Sequence, residues 1–220
     1  MMTDFTQTDK NRVRRVPNRG AYDKETIHQI VDAALICHVG LVQDGAPVVI
    51  PTLHARRGDE ILLHGATTSR LIQVAAAGHP LCLTMTLVDG LVLARSVFHH
   101  SVNYRSAVLF GRGQLVPDSE KMADLHCFTE KLLPGRWDDV RAPNAAEFKA
   151  TAVVAVTIES ASAKVRSGPP KDDEEDYALP VWAGVLPIHQ QFGELESDSK
   201  LAEGITAPDY LVAYTQSRHL

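Results

Sequence analysis

Residues 37–73, CHVGLVQDGAPVVIPTLHARRGDEILLHGATTSRLIQ, decide the fold. Residues 37–43 read as a strand, and Asp44-Gly45 is a strong hairpin turn signal. Residues 46–55 form the return strand, Arg57-Gly58-Asp59 makes a second turn, and residues 60–65 give a third strand. Strands joined by turns this tight run antiparallel, so the stretch is a β-meander. Its last part reads strand, then HGATTSR, then a short apolar helix over 68–77. Thr67 or Thr68 caps that helix, and Gly78 and Pro80 stop it.

Working outward, Asp23 caps a helix over 24–36. Its apolar stripe is Ile27, Ile30, Val31, Ala34 and Leu35, with His28 on the exposed side. Beyond the meander, residues 81–88 form a strand, Asp89-Gly90 a turn, and 91–98 a return strand. A polar insertion from His99 to Asn103 leads into a long strand over 105–116. A second amphipathic helix covers 119–133, with Met122, Leu125, Phe128 and Leu132 as its stripe and Pro134-Gly135 as its end. Residues 151–158 form another strand, which 160–166 extend after a bend. The acidic run 171–176 is a solvated loop, and 181–186 are a last short strand. The pattern predicts a mainly β domain with helical insertions, an antiparallel barrel or sandwich. Gly40, Gly111 and Gly113 inside strands fit bends or bulges of a small closed barrel. No internal repeat is present.

The chain has 220 residues, of which 45% are hydrophobic and 22% charged, so global disorder is excluded. Three parts are expected: a polar arm over 1–22, a barrel domain over 23–190 and an extension over 191–220. The arm carries Lys10, Arg12, Arg14, Arg15 and Arg19. It reads as a mobile or surface-lying terminus, with an anion-binding arm as the alternative. The net charge of −5 gives no global attraction to nucleic acid. Cys37, Cys82 and Cys127 are odd in number and widely spaced, and no CxxC occurs, so they read as buried thiols of a reducing compartment. The N-terminus lacks the apolar core of a signal peptide, and no apolar run reaches the ~18 residues of a membrane span. A cytoplasmic protein without membrane contact is expected.

The segment with most chemistry is Thr67-Thr68-Ser69-Arg70. Helix N-termini bind anions because their first N–H groups lack partners. Here three hydroxyls and a guanidinium fork surround one such end, more than a cap requires, and that combination suits phosphate. No Walker loop, GxGxxG, GxSxG or HExxH is present. The histidines raise the question of a metal, but His99-His100 are adjacent and point to opposite faces of a strand. His54 and His64 lie on neighbouring strands and can face one cavity, where they read as ligand-lining histidines; no metal is expected. The polar run His99 to Ser106, with Tyr104 and Arg105, reads as the rim of a ligand site or as a long hairpin.

In this order, the segments resemble the FMN-binding split β-barrel family of pyridoxamine 5′-phosphate oxidase-like proteins, over about residues 20–190. The nearest branch in appearance is that of flavin-nucleotide-binding proteins related to nitroimidazole resistance. The resemblance implies a six-stranded split barrel that dimerises, with flavin at the subunit interface. It implies that Val49, Ile50, Pro51, Thr52 and Leu53 lie along the flavin ring, that Leu63 and His64 sit near the ribityl chain or ring edge, and that Thr68, Ser69 and Arg70 hold the phosphate. Tyr104, Arg105 and Ser106 match the strand start contributed by the partner subunit, and Trp182 a position near the flavin. The implied cofactor is FMN, with FAD or haem as alternatives, since both flavins present a phosphate to the same helix end. The implied activity is an FMN-dependent oxidoreductase acting on a small organic substrate, nitroreductase-like; the alternative is a flavin or haem carrier without turnover. Pyridoxamine phosphate oxidase itself does not fit. The second strand opens Pro47-Val48-Val49-Ile50 without the oxidase's basic residue, and no C-terminal segment to grip that substrate is evident. No catalytic residue is singled out.

Overall fold

Alternation of apolar and polar residues drives the longest strands. Along β7 (Ser101–Leu115), Asn103, Ala107, Leu109, Gly111 and Gly113 are buried on one face, and Tyr104, Ser106, Val108, Phe110 and Arg112 form the other. The computed structural model describes residues 4–217. Met1 to Thr3 of the arm and residues 218–220 of the extension lie outside them.

Six strands run seven residues or more: β2 (Ile36–Gln43), β3 (Ala46–Leu53), β5 (Glu60–Ala66), β6 (Pro80–Leu93), β7 and β8 (Thr151–Arg166). Three are short: β1 (Gly20–Ala21), β4 (Ala55–Arg57) and β9 (Gly184–Pro187). All pairings are antiparallel, in the order β3-β2-β6-β7-β8-β5-β4, with β1 on β8 and β9 on β6. β3 comes back against β5, which curls the sheet towards closure. Helix α1 (Lys24–Ala33) packs on β6, β7 and β8, and α2 (Arg70–Ala76) on β5, β7 and β8. Between them lies the main core, which includes Ile27, Ile30, Val31, Leu63, Leu83, Met85 and Leu109. A second core under α3 (Asp118–Leu132) joins Leu62, Val116, Phe128 and Val153. Short α4 (Ala145–Ala150) precedes β8, and α5 (Asp209–Ser217) lies on the C-terminal end of α3, where the Tyr214 hydroxyl donates to the Leu132 carbonyl.

The meander follows its sequence signals. Asp44-Gly45 is a hairpin turn with both residues left-handed, at φ 52° and 77°. Asp89-Gly90 is not. Those residues sit inside continuous β6, where the register slips between Val88 and Gly90. Arg105, across the ladder on β7, forks onto the Asp89 carboxylate, and β9 lies against Gly90. A Cβ at Gly90 would come 2.9 Å from the Leu186 carbonyl oxygen, so close approach of β9 accounts for this glycine. Gly111 adjoins the register shift between β7 and β8, where a Cβ would meet the Thr157 oxygen at 2.0 Å.

Three further expectations need correction. His28 is buried, because Phe5 from the arm folds edge-on to its ring at 6.5 Å between centroids. On α3, Met122 and Leu132 are exposed, and Lys121 and Asp124 face inward with Phe128. Arg57 donates to Asp124 at 2.7 Å, and Lys121 Nζ donates to the Thr151 carbonyl at 3.1 Å while lying over the Phe148 ring. These partners arrive from distant strands, so apolar periodicity on the helix alone does not show them. Third, the basic arm is docked: Phe5 enters the main core, and Asn11 is 3% exposed.

Candidate functional site

The turn between β5 and α2 is built as follows. Ser69 N–H donates to the Ala66 carbonyl at 2.8 Å, and Thr67 N–H donates to the Ala150 carbonyl at 3.0 Å, tying the turn to the start of β8. Ser69, not Thr67 or Thr68, occupies the N-cap position, and its hydroxyl makes no capping bond. The helix has seven residues, so its end dipole is weak and the anion chemistry rests on side chains. Thr68 and Arg70 are exposed and Ser69 is half-buried. Arg70 makes no ion pair among the described residues. The turn therefore presents hydroxyls and a guanidinium with open hydrogen-bonding capacity. Thr67 also lines a cavity of about 550 Å³ with Ile72, Gln73, Lys121, Phe148 and Thr151.

Arg105 differs from Arg70. Its Nε and Nη2 both reach Asp89, the closest contact at 2.7 Å, and this hydrogen-bonded partner raises its pKa further. Tyr104 and Ser106 flank it on the opposite face of β7, both half-buried. Along β3, Val49 and Pro51 are exposed, while Ile50, Thr52 and Leu53 are half-buried. β3 pairs with β2 alone, so its outer edge is unpaired; Pro47 and Pro51, which lack an N–H, are tolerated there. Leu63 is fully buried in the main core, on the face of β5 away from His64. Trp182 is 68% exposed and rests on Gly184 at the start of β9.

Both sequence-selected histidines lie beneath α3, one helical turn apart. His54 is 2% exposed, with Nε2 2.9 Å from the Val31 carbonyl oxygen and 2.7 Å from Lys131 Nζ. Burial and the Lys131 ammonium push its pKa down to about 4. His64 packs on Phe128 at 4.3 Å between centroids. Its Nδ1, like that of His54, is buried without a partner, and burial lowers its pKa, so the ring is a neutral imidazole at neutral pH. Among the described residues, no three His, Cys, Asp or Glu side chains come together to hold a metal ion. No helix among them is long and apolar enough to cross a membrane. Burial raises the pKa of the Cys37 thiol to about 12, and Cys82 and Cys127 shift the same way, so none is an activated nucleophile.

Sequence reasoning missed Lys131 and Asp89, because each acts through a residue far away in the chain. It also missed a pocket between the arm and β7–β8, although the cations of residues 10–19 were its visible signal.

An antiparallel split barrel with this turn between its third long strand and a short helix defines a family. Residues 23–165 match the pyridoxamine 5′-phosphate oxidase family, and the chain belongs to it. The flavocytochrome Anf3 from Azotobacter vinelandii is 40% identical, with 94% of this chain and 96% of that one aligned, at a TM-score of 0.88. The FAD and haem binding protein from Mycobacterium smegmatis is 35% identical, over 90% of this chain and 97% of that one, at 0.86. A putative 5-nitroimidazole antibiotic resistance protein from Bacteroides thetaiotaomicron, 22% identical over 66% of this chain and 86% of that one, shares the fold at 0.57. A search of curated proteins finds no match.

Proposed function

We propose that the protein is a dimeric flavin-binding redox protein that also carries haem. The observation that carries the flavin is the Thr67–Arg70 turn, whose hydroxyls and guanidinium are left open. Arg70 and the Thr68 and Ser69 hydroxyls hold the flavin phosphate, a chemistry suited to a fork of N–H donors beside hydroxyls. The open edge of β3 offers backbone donors and acceptors to the flavin ring. Arg105 positions the start of β7 through Asp89.

For haem, the fit rests on His64. His64 is half-buried and its ring makes no hydrogen bond among the described residues, so it has a nitrogen to offer iron, whereas His54 is 2% exposed with its Nε2 held by Lys131 and Val31. Flavin would supply one- or two-electron transfer to a small organic acceptor, and haem one-electron transfer. The two relatives of 35–40% identity, named as a flavocytochrome and as an FAD and haem binding protein, support this pairing. The dimer is supported by apolar side chains left outside the barrel: Val49, Val88, Leu91, Val97, Phe98 and Leu186, with Val97 and Phe98 at 91% and 88% exposure.

Reconstitution of the purified protein with FMN, FAD and haem tests this reading. Bound flavin gives near-ultraviolet and blue bands, and bound haem a Soret band that His64→Leu removes while the flavin bands stay. A protein that takes up no flavin overturns the proposal. Anaerobic addition of NADPH followed by bleaching of the flavin bands supports an oxidoreductase; stable flavin bands under all reductants tried support the carrier.

A further inference from the structure

The arm closes over the outer face of β7 and β8 and makes a second, strongly cationic pocket. Its volume is about 300 Å³, and its walls include Lys10, Arg12, Arg14 and Arg15 from the arm with Ser106 and Lys164 from the strands. The arm is anchored for this. Asn11 Nδ2 donates to the Ala161 carbonyl on β8 at 2.9 Å and to the Thr6 carbonyl at 3.0 Å, and Thr8 N–H donates to Asn11 Oδ1 at 2.7 Å. Lys10 Nζ lies 4.5 Å from the centre of the Phe110 ring. The chain then turns at Val16, a β-branched residue at φ 53° directly before Pro17. Such a conformation is strained and persists only where the surroundings impose it.

The cations gathered here are poorly neutralised. Arg12 and Arg14 reach only Asp9, at 3.9 and 3.8 Å, and Lys10, Arg15 and Lys164 make no ion pair among the described residues. Like charges held together repel, and a bound anion relieves that repulsion. The pocket has five cations and two hydroxyls, Ser106 and Ser162, which exceeds what one phosphate engages. Its small volume and the chain's net charge of −5 favour a compact anion over a polymer. Val13 and Val108 add apolar wall beside the charges, suited to a sugar or base edge. The arm also lies outside the 23–165 span shared across the family, while alignment with the two closely similar relatives covers 90% or more of this chain.

We propose that this arm pocket binds the diphosphate of a free dinucleotide, separately from the phosphate held at Arg70. FAD has a single diphosphate, whose flavin-side phosphate is the group assigned to Arg70, so the bound flavin is not the source. The proposal stands without the flavin reading.

The test uses full-length protein and the triple variant R12Q/R14Q/R15Q, whose arm keeps its Phe5 and Asn11 anchors. ADP and inorganic pyrophosphate are titrated by calorimetry, and FMN and FAD by quenching of flavin fluorescence. ADP is expected to bind the wild type and to weaken about tenfold or more in the variant, since several charge-assisted contacts are lost. FMN affinity is expected to stay unchanged. If FAD also weakens tenfold and FAD-loaded protein no longer binds ADP, the arm pocket is part of the flavin site and the proposal is overturned. If FAD affinity holds and FAD-loaded protein still binds ADP, the ligand is a free dinucleotide. Loss of flavin binding in the wild type with ADP binding intact would break the flavin reading alone. No binding of ADP or pyrophosphate to the wild type also overturns the arm pocket.

Discussion

Two pairs of like residues were expected around one flavin, and within each pair the structure treats the members differently. Arg105 is locked onto Asp89, while Arg70 stands without an ion pair among the described residues. Both His54 and His64 keep a buried Nδ1 without a partner, but the Nε2 of His54 is engaged by Lys131 and Val31, while the ring of His64 makes no hydrogen bond among the described residues and is half-buried against Phe128. A side chain whose hydrogen bonds are met within the fold contributes to stability and position. One whose capacity is open is available to a ligand. The contrast divides four residues of similar sequence appearance into two held within the fold and two left with open hydrogen-bonding capacity.

The largest effect expected from this division is a pH dependence of stability. His54 has a folded pKa of about 4, below its unfolded value near 6.5. Between those values the unfolded chain binds more protons, so stability is full above about pH 6.5 and falls as pH drops towards 4, by about 3 kcal/mol. Urea denaturation of His54→Gln is expected to show a flatter acid limb, with the residual slope from His28 and His64, whose pKa values burial also lowers. Equal slopes in variant and wild type would show that His54 titrates alike in the folded and unfolded chain and would break the comparison.

Next in size is Arg70→Gln. Loss of a charged donor to phosphate weakens flavin binding by about 2 kcal/mol, and the thermal midpoint stays unchanged. Fluorescence titration and thermal melting together read the two quantities; a lower midpoint with unchanged affinity would invert the comparison. Arg105→Gln is expected to do the reverse. Its pair with Asp89 is partly exposed, so the loss is about 1 kcal/mol of stability with flavin affinity little changed. A double-mutant cycle with Asp89→Asn should recover most of that energy as coupling. The smallest effect belongs to Thr68→Val, where losing one neutral hydroxyl donor weakens flavin binding by about 0.5–1 kcal/mol.

How much of this is legible in the sequence depends on how local each cause is. The β2–β3 hairpin was written in Asp44-Gly45, since a left-handed turn depends on those two residues alone. The same dipeptide at Asp89-Gly90 misled, because its causes are Arg105 sixteen residues on and β9 nearly a hundred residues on. The turn with open hydroxyls and a free-standing guanidinium can be read because Thr67, Thr68, Ser69 and Arg70 are contiguous in sequence. The roles of His54 and of α3's inward face could not, because Lys131, Arg57 and Thr151 reach them from other elements. The basic arm was visible as a run of charge, but its docking needed Asn11 to meet Ala161, 150 residues away.

The exposed Val97–Phe98 tip sits in a 3₁₀ turn that follows β6. Asp172, arriving from the acidic run, accepts from the Arg95 and Ser96 backbone N–H groups and from the Arg95 guanidinium. The side chain of Asp172 is fully covered, so this clasp is shielded from competing water. The loop has thus lost its conformational freedom at folding, before any second subunit arrives. In the proposed dimer, contact at this tip orders little that was loose, so more of the apolar area covered there is retained as affinity. The acidic segment that looked like mere solvated loop is, in thermodynamic terms, what makes the apolar tip a preorganised one.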